Sequence, residues 1–263
     1  GNSIHGPYGD LANLEGRVAG ENAVMGNIMK FPGTIQTGVC KVFDFSAGST
    51  GLSELSAKKQ GFTNIETVIT AGPDRLDFMG AKILINKMVA DRDTGKILGF
   101  QCIGMGDASK QIAMAAMAIM GGLTVDDLVN ADLPYAPPFS LAIDNIVACA
   151  HAMQNKLRGL MMGLSAVEVR YKLSKGEKPF IIDARSPEEW ENTRLGIGEH
   201  LIPVGAIHGR LHELPEDKDT EIITFCQISL RGYEVARTLM AKGYTNVKVM
   251  EGGIVAWPFH REK

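Results

Sequence analysis

Residues Thr224–Ala236 read TFCQISLRGYEVA, and the class of fold turns on how this stretch is parsed. Just ahead of the cysteine, Glu221-Ile-Ile-Thr-Phe225 is dominated by β-branched and aromatic side chains, the mark of a short buried strand. After it, Val235, Ala236, Leu239 and Met240 fall on one helical face, and Gly243 supplies the stop. Cys226 therefore sits in a strand-to-helix turn, with Arg231 in the opening turn of the helix. The amides of such a turn, together with the unpaired N–H groups and positive dipole end of the helix, stabilise an anion. A thiolate is such an anion, and it is the nucleophilic form of cysteine. A buried structural cysteine is the alternative that this local pattern leaves open.

Around this stretch, the alternation of elements sets the architecture. A helix over 165–174 precedes a strand at Pro179–Ala184, a helix near 187–193 and a short strand at 205–208. The strand ending at Cys226, its helix, and a strand at Val247–Met250 follow. Strands separated by helices imply a parallel sheet covered on both faces, and such sheets bind ligands beyond the carboxyl ends of their strands. Cys226 occupies one of those ends.

The residues before about 157 have a different character. Leu11, Leu14, Val18, Met25 and Ile28 recur at helical spacing and predict an amphipathic helix over 11–29. Extended segments are expected at 35–45, 64–71, 81–91 and 96–105, the last two joined by a hairpin at Asp93-Thr-Gly-Lys96. Helices are expected over 108–121 and 140–156. Between them, Pro134, Pro137 and Pro138 forbid a continuous helix, so Tyr135 is presented from a stiff loop. This half reads as α+β.

Length and charge bound the function. At 263 residues the chain exceeds the usual single domain and suggests two, although single domains of this size exist. A net charge of −3 with no basic run gives no reason to expect a nucleic-acid partner. No apolar stretch approaches the length that spans a membrane, and no signal-peptide pattern opens the sequence. Cys40, Cys102, Cys149 and Cys226 are scattered without a C-x-x-C pair, which argues against zinc or a disulfide framework and favours a reducing, cytoplasmic setting. Cys40, Cys102 and Cys149 are expected as small core residues. The histidines lack metal-ligand spacing, so no metal is expected. Gly104-Met-Gly106 followed by Ser109 fails as a dinucleotide fingerprint, because it follows a hairpin strand rather than opening a βαβ unit.

Four ordered motifs in the second half resemble a rhodanese domain: Phe180–Trp190 (FIIDARSPEEW), Ile202–His208 (IPVGAIH), Cys226–Arg231 (CQISLR) and Val249–Trp257 (VMEGGIVAW). The resemblance implies that Cys226 carries a sulfane sulfur as a persulfide, surrounded by the amides of Gln227, Ile228, Ser229, Leu230, Arg231 and Gly232. Arg231 would direct positive charge toward the donor, and Asp183 and Arg185 would support the loop. Cysteine phosphatases place five residues between Cys and Arg in a similar loop. Here four intervene, a tighter ring suited to one sulfur atom.

The first half resembles the dimerisation domain of flavin-dependent pyridine nucleotide-disulfide oxidoreductases, in particular the coenzyme A-disulfide reductases that carry a rhodanese domain. Gly33-Thr34, Lys41–Asp44, Ser49–Leu52 and Leu133–Ser140 carry that likeness. Ala12, Asn13, Gly16 and Arg17 resemble the last helix of that family's flavin-binding domain. The implied division is a flavin-domain remnant at 1–33, an α+β dimerisation domain at 34–157 and an α/β rhodanese domain with a parallel sheet at 160–263. The family implies FAD, NAD(P)H and coenzyme A for a full-length protein, a homodimer, and a coenzyme A contact at Tyr135. A second aromatic position of the family falls at Asp77-Phe78. This chain by itself is expected to bind none of those cofactors and to act as a sulfurtransferase between a sulfane-sulfur donor and a thiol acceptor. A non-catalytic dimerisation and sulfur-carrier-binding module is the alternative function.

Overall fold

The computed structural model describes residues 6–263. Its first half is built on strands β1 (Gly38–Val42), β2 (Phe45–Gly51), β3 (Ile65–Pro73), β4 (Ile83–Asp91) and β5 (Ile97–Gly104). They form one antiparallel sheet in the order β1-β2-β5-β4-β3. At the β4–β5 hairpin the Thr94 hydroxyl donates to Asp91 Oδ2 at 2.6 Å, and Gly95 takes a φ of 70°. The helices are α1 (Gly9–Met25), α2 (Glu54–Lys59), α3 (Ala108–Met120), α4 (Val125–Val129) and α5 (Asn145–Leu157). Helices α3 and α5 cover one face of the sheet, packing Ile112, Ala115, Ile146 and Met153 into the core that holds Leu84, Met88 and Phe100.

Several boundaries differ from the sequence reading, each for a local reason. The extended segment expected at 35–45 breaks at Phe43, whose φ is 53°, and the chain returns as β2. Small residues weaken the strand signal of β2, yet Gly48 is required there: a Cβ would lie 2.7 Å from Ile112 Cγ1, so α3 rests on bare backbone. The helix expected from 140 starts at Asn145, with Asp144 as its cap. Helix α1 ends at Gly26, and Leu11 is its one buried residue; Leu14, Met25 and Ile28 are exposed. Cys40 is exposed on edge strand β1 rather than in the core, while Cys102 and Cys149 are buried.

The second half holds strands β6 (Gly163–Leu164), β7 (Phe180–Asp183), β8 (His200–Leu201), β9 (Ile222–Phe225) and β10 (Val247–Met250). All pairings are parallel, in the order β6-β10-β9-β7-β8. Helices α6 (Ala166–Ser174), α7 (Pro187–Asn192) and α8 (Leu230–Ala241) connect them. The strand expected at 205–208 is a 3₁₀ turn, Val204–Gly209, entered from Pro203 at a φ of −52°. On one face of the central strands, Ile222 and Val249 pack with Val235, Ala236 and Leu239 of α8. On the other, Ile223 and Phe225 pack with Val169 of α6 and with Trp257. Four consecutive buried residues in β9 follow from cover on both sides.

The halves meet through a buried ionic cluster. Lys156 of α5 donates to Glu251 Oε1 at 2.6 Å and pairs with Glu66 at 3.0 Å, while Glu251 Oε2 accepts from the Ile69 amide at 2.8 Å. Burial pushes the Glu251 carboxyl up, against the opposing pull of Lys156. Gly163 makes room for it, since a Cβ there would overlap Glu251 Oε1.

Candidate functional site

Strand β9 ends at Phe225 and α8 begins at Leu230, so only Cys226, Gln227, Ile228 and Ser229 span the turn. A turn this short requires helix and strand to approach closely. Gly232 permits it, because a Cβ there would lie 2.8 to 3.1 Å from the backbone of Phe225. Its carbonyl accepts the Thr224 hydroxyl at 2.8 Å. Gly232 therefore acts through backbone packing.

The loop's carbonyls are turned outward. Cys226 O accepts from the Ile254 amide at 2.9 Å and Gln227 O from the Val255 amide at 3.2 Å. Gly253 is held against them at a φ of 60°; a Cβ there would overlap the Cys226 carbonyl oxygen and lie 2.7 Å from Gln227 C. Ser229 takes a left-handed φ of 84° and spends its hydroxyl on Met250 O at 2.9 Å, leaving the start of α8 without a side-chain cap. Among the described residues, the amides of Gln227, Ile228, Ser229, Leu230, Arg231 and Gly232 meet no acceptor. A run of unpaired amides at a helix N-terminus is an anion cradle. Cys226, 1% exposed, sits at its edge.

Arg231 is engaged already. Its Nη1 donates to Glu189 Oε2 and its Nη2 to Glu189 Oε1, each at 2.7 Å, and both side chains are 32% exposed. Hydrogen bonding to Glu189 raises the guanidinium's affinity for its proton, and the nearby Cys226 side chain adds to the effect. In return Arg231 pulls the Glu189 carboxyl down to about 2. Glu189 also accepts from the Ser186 amide at 3.0 Å, closing the capping box of α7. Sequence reasoning missed Glu189 as a site residue. Its one local signal is the Ser186-Pro-Glu-Glu189 spacing, which marks a helix start without naming the partner.

Asp183 and Arg185 lie behind this pair, 0% and 1% exposed. Arg185 Nε and Nη2 donate to Asp183 Oδ2 at 2.9 and 2.7 Å, while its Nη1 and Nη2 reach Glu189 O at 3.2 Å and Thr193 O at 2.7 Å. The pair ties α7 to the end of β7 and so fixes where Glu189 stands.

The other expected residues lie elsewhere. A cleft of about 490 Å³ runs between the halves, lined by Ile69, Pro73, Ile143, Ile228, Leu230 and Tyr233 among others. Tyr135, 52% exposed, lines a separate cleft of about 440 Å³ with Arg75, Lys110 and Gln111. Ala12, Asn13, Gly16 and Arg17 are exposed on α1, and Asn13 turns its amide back to Gly9 O at 2.7 Å. Leu11 and Glu15, on another side of α1, line the cleft beside that helix, and the expected four do not. No described group of three or more His, Cys, Asp or Glu is placed to hold a metal, and no described helix is long and apolar enough to cross a membrane.

Comparison with known proteins agrees with the order of the two folds. Residues 37–147 match the pyridine nucleotide-disulphide oxidoreductase dimerisation domain, and residues 165–258 match the rhodanese-like domain. The NAD(P)H coenzyme A polysulfide/persulfide reductase of Pyrococcus horikoshii is 34% identical over 154 residues, covering 59% of this chain and 34% of that protein. Among solved structures, the NAD-dependent persulfide reductase of A. fulgidus superposes with a TM-score of 0.89 at 38% identity, covering 98% of this chain and 46% of that one. CoADR-RHD of Bacillus anthracis gives 0.86 at 32% identity, covering 97% and 45%. The chain spans about a third of the curated relative and under half of each solved one.

Proposed function

We propose, for a chain that joins a pyridine nucleotide-disulphide oxidoreductase dimerisation domain to a rhodanese-like domain, that it transfers sulfane sulfur through a persulfide on Cys226. The observation that carries this reading is the run of unpaired amides at Gln227–Gly232 beside a single cysteine at the end of β9. The Cys226 thiolate attacks the outer sulfur of a donor persulfide R–S–SH; the donor S–S bond breaks and R–S⁻ leaves with the electron pair. Cys226–S–SH remains, its outer sulfur anion taken by the amides. A thiol acceptor then attacks that outer sulfur and restores the Cys226 thiolate, so no net oxidant or reductant is needed. Arg231 borders the cradle, Glu189 holds it, and Asp183 with Arg185 positions Glu189.

The remaining assignments follow from the family. We assign 34–157 to the dimerisation domain and 160–263 to the rhodanese domain, with 1–33 as the end of a flavin-binding domain. A homodimer would form on the first sheet, where Val39, Val42, Phe45 and Ile103 are exposed. In a full-length protein, FAD and NAD(P)H would supply reducing equivalents to a coenzyme A-linked persulfide or disulfide, with Tyr135 at the coenzyme A contact. No step of sulfur transfer at Cys226 depends on them. A turnover assay with an alkyl persulfide donor and a thiol acceptor tests the proposal. Formation of the acceptor's persulfide, trapped by alkylation and read by mass, should require Cys226 and fall to the uncatalysed rate in Cys226→Ser; equal turnover by that variant would contradict it.

A further inference from the structure

We infer that Glu189 sets the donor preference of this site, selecting against dianionic sulfane donors by neutralising Arg231 in a fixed bidentate pair. The inference rests on the sulfur-transfer reading of Cys226. A cation beside the persulfide loop would ordinarily attract a doubly charged donor such as thiosulfate. Here Nη1 and Nη2 of Arg231 each donate one N–H to Glu189 at 2.7 Å, so the cation already carries a paired carboxylate. The carboxylate is not free to swing away. It accepts from the Ser186 amide at 3.0 Å, its own carbonyl accepts from Arg185 at 3.2 Å, and Arg185 is locked to buried Asp183. A dianion approaching Arg231 would have to displace a carboxylate that also accepts from the Ser186 amide, on a backbone that Arg185 holds in place. Bidentate guanidinium–carboxylate pairs are among the stronger polar contacts, so that displacement is costly.

The leaving groups sharpen the contrast. When the Cys226 thiolate attacks the sulfane sulfur of thiosulfate, the S–S bond breaks and the electron pair departs with sulfite, a dianion. From an alkyl persulfide it departs with a monoanionic thiolate. The Arg231–Glu189 pair presents no net charge to hold the first, whereas the amide cradle is sufficient for the persulfide product of either. Glu189 thus acts through Arg231, as a positioning and specificity residue.

The experiment compares thiosulfate with 2-hydroxyethyl persulfide as donors, for wild type and Glu189→Gln, by the kcat/KM for sulfur loading of Cys226. Glutamine keeps a carbonyl for the Ser186 amide while removing the charge. The ratio of thiosulfate to persulfide kcat/KM should rise about fivefold to tenfold in the variant, through a lower KM for thiosulfate, the scale of one partly exposed unit charge. An unchanged ratio in a folded variant that still loads sulfur would overturn the inference while leaving sulfur transfer intact. Should Glu189→Gln not fold, wild type alone decides: it should favour the persulfide by about tenfold or more, and a preference for thiosulfate would overturn the inference. Failure of both donors to load wild type would remove the sulfur-transfer reading and the inference with it.

Discussion

Arg231 and Glu189 bring opposite charges together from positions 42 residues apart, and their pairing makes the site sensitive to acid. The Glu189 carboxyl titrates at about 2 in the folded chain, against about 4.3 for an unperturbed glutamate. Its folded value is depressed, so its contribution to stability is fully present above the unfolded value and is lost as pH falls through the folded one. Wild type should therefore lose its stability advantage over Glu189→Gln between about pH 4.3 and about pH 2, read from urea unfolding midpoints. A constant difference across that window would mean the pair does not hold in solution. Gly253 makes a second demand, since its φ of 60° and its contact with Cys226 and Gln227 leave no space for a Cβ. Gly253→Ala should cost about 1 to 3 kcal/mol in denaturant unfolding and lower sulfur loading of Cys226 about tenfold to hundredfold. A fully active, fully stable variant would contradict the account of the loop.

Between the elements, the ionic cluster of Lys156, Glu66 and Glu251 fastens α5 and β3 to the end of β10. Removing the cation leaves the buried Glu251 carboxylate without a counter-charge, while Glu66 keeps its pairing with Arg92. Lys156→Met should destabilise the chain by about 3 to 5 kcal/mol, measured by chemical denaturation, the usual cost of breaking a buried pair from one side. The element pattern itself was legible wherever one residue class dominated. Ile222, Ile223 and Phe225 announced β9, and the spacing of Val235, Ala236 and Leu239 announced α8, because burial on both sides of a sheet demands such residues. The element β2 was illegible past residue 45 because α3 packs on its backbone and requires glycine at 48, which erases the strand signal. At 205–208, Val204-Gly-Ala-Ile207 mimics a strand, but Pro203 directs the chain into a 3₁₀ turn. Of the site, Cys226, Arg231 and the loop amides could be read from local order. Glu189 and the Glu251 cluster could not, because their partners are set by tertiary packing alone.

For the whole molecule, the first sheet leaves apolar side chains on its hairpin exposed, including Phe43 at 92% and Phe45 at 50%. Closed two-fold pairing would cover such a face. Light scattering of the purified chain should give twice the mass of one chain, and a strict monomer at micromolar concentration would show that the interface is absent. The exposed placement of Ala12, Asn13, Gly16 and Arg17 predicts that the 263-residue chain purifies without a flavin absorption band, and a stoichiometric band would contradict that. The central claim is tested most directly by intact-mass analysis after incubation with an alkyl persulfide, followed by peptide mapping. The account predicts one added sulfur atom, located on Cys226, removed by cyanide or excess thiol, and absent in Cys226→Ser. An unchanged mass under conditions that load a known sulfurtransferase, or a sulfur located on exposed Cys40 instead, would contradict it.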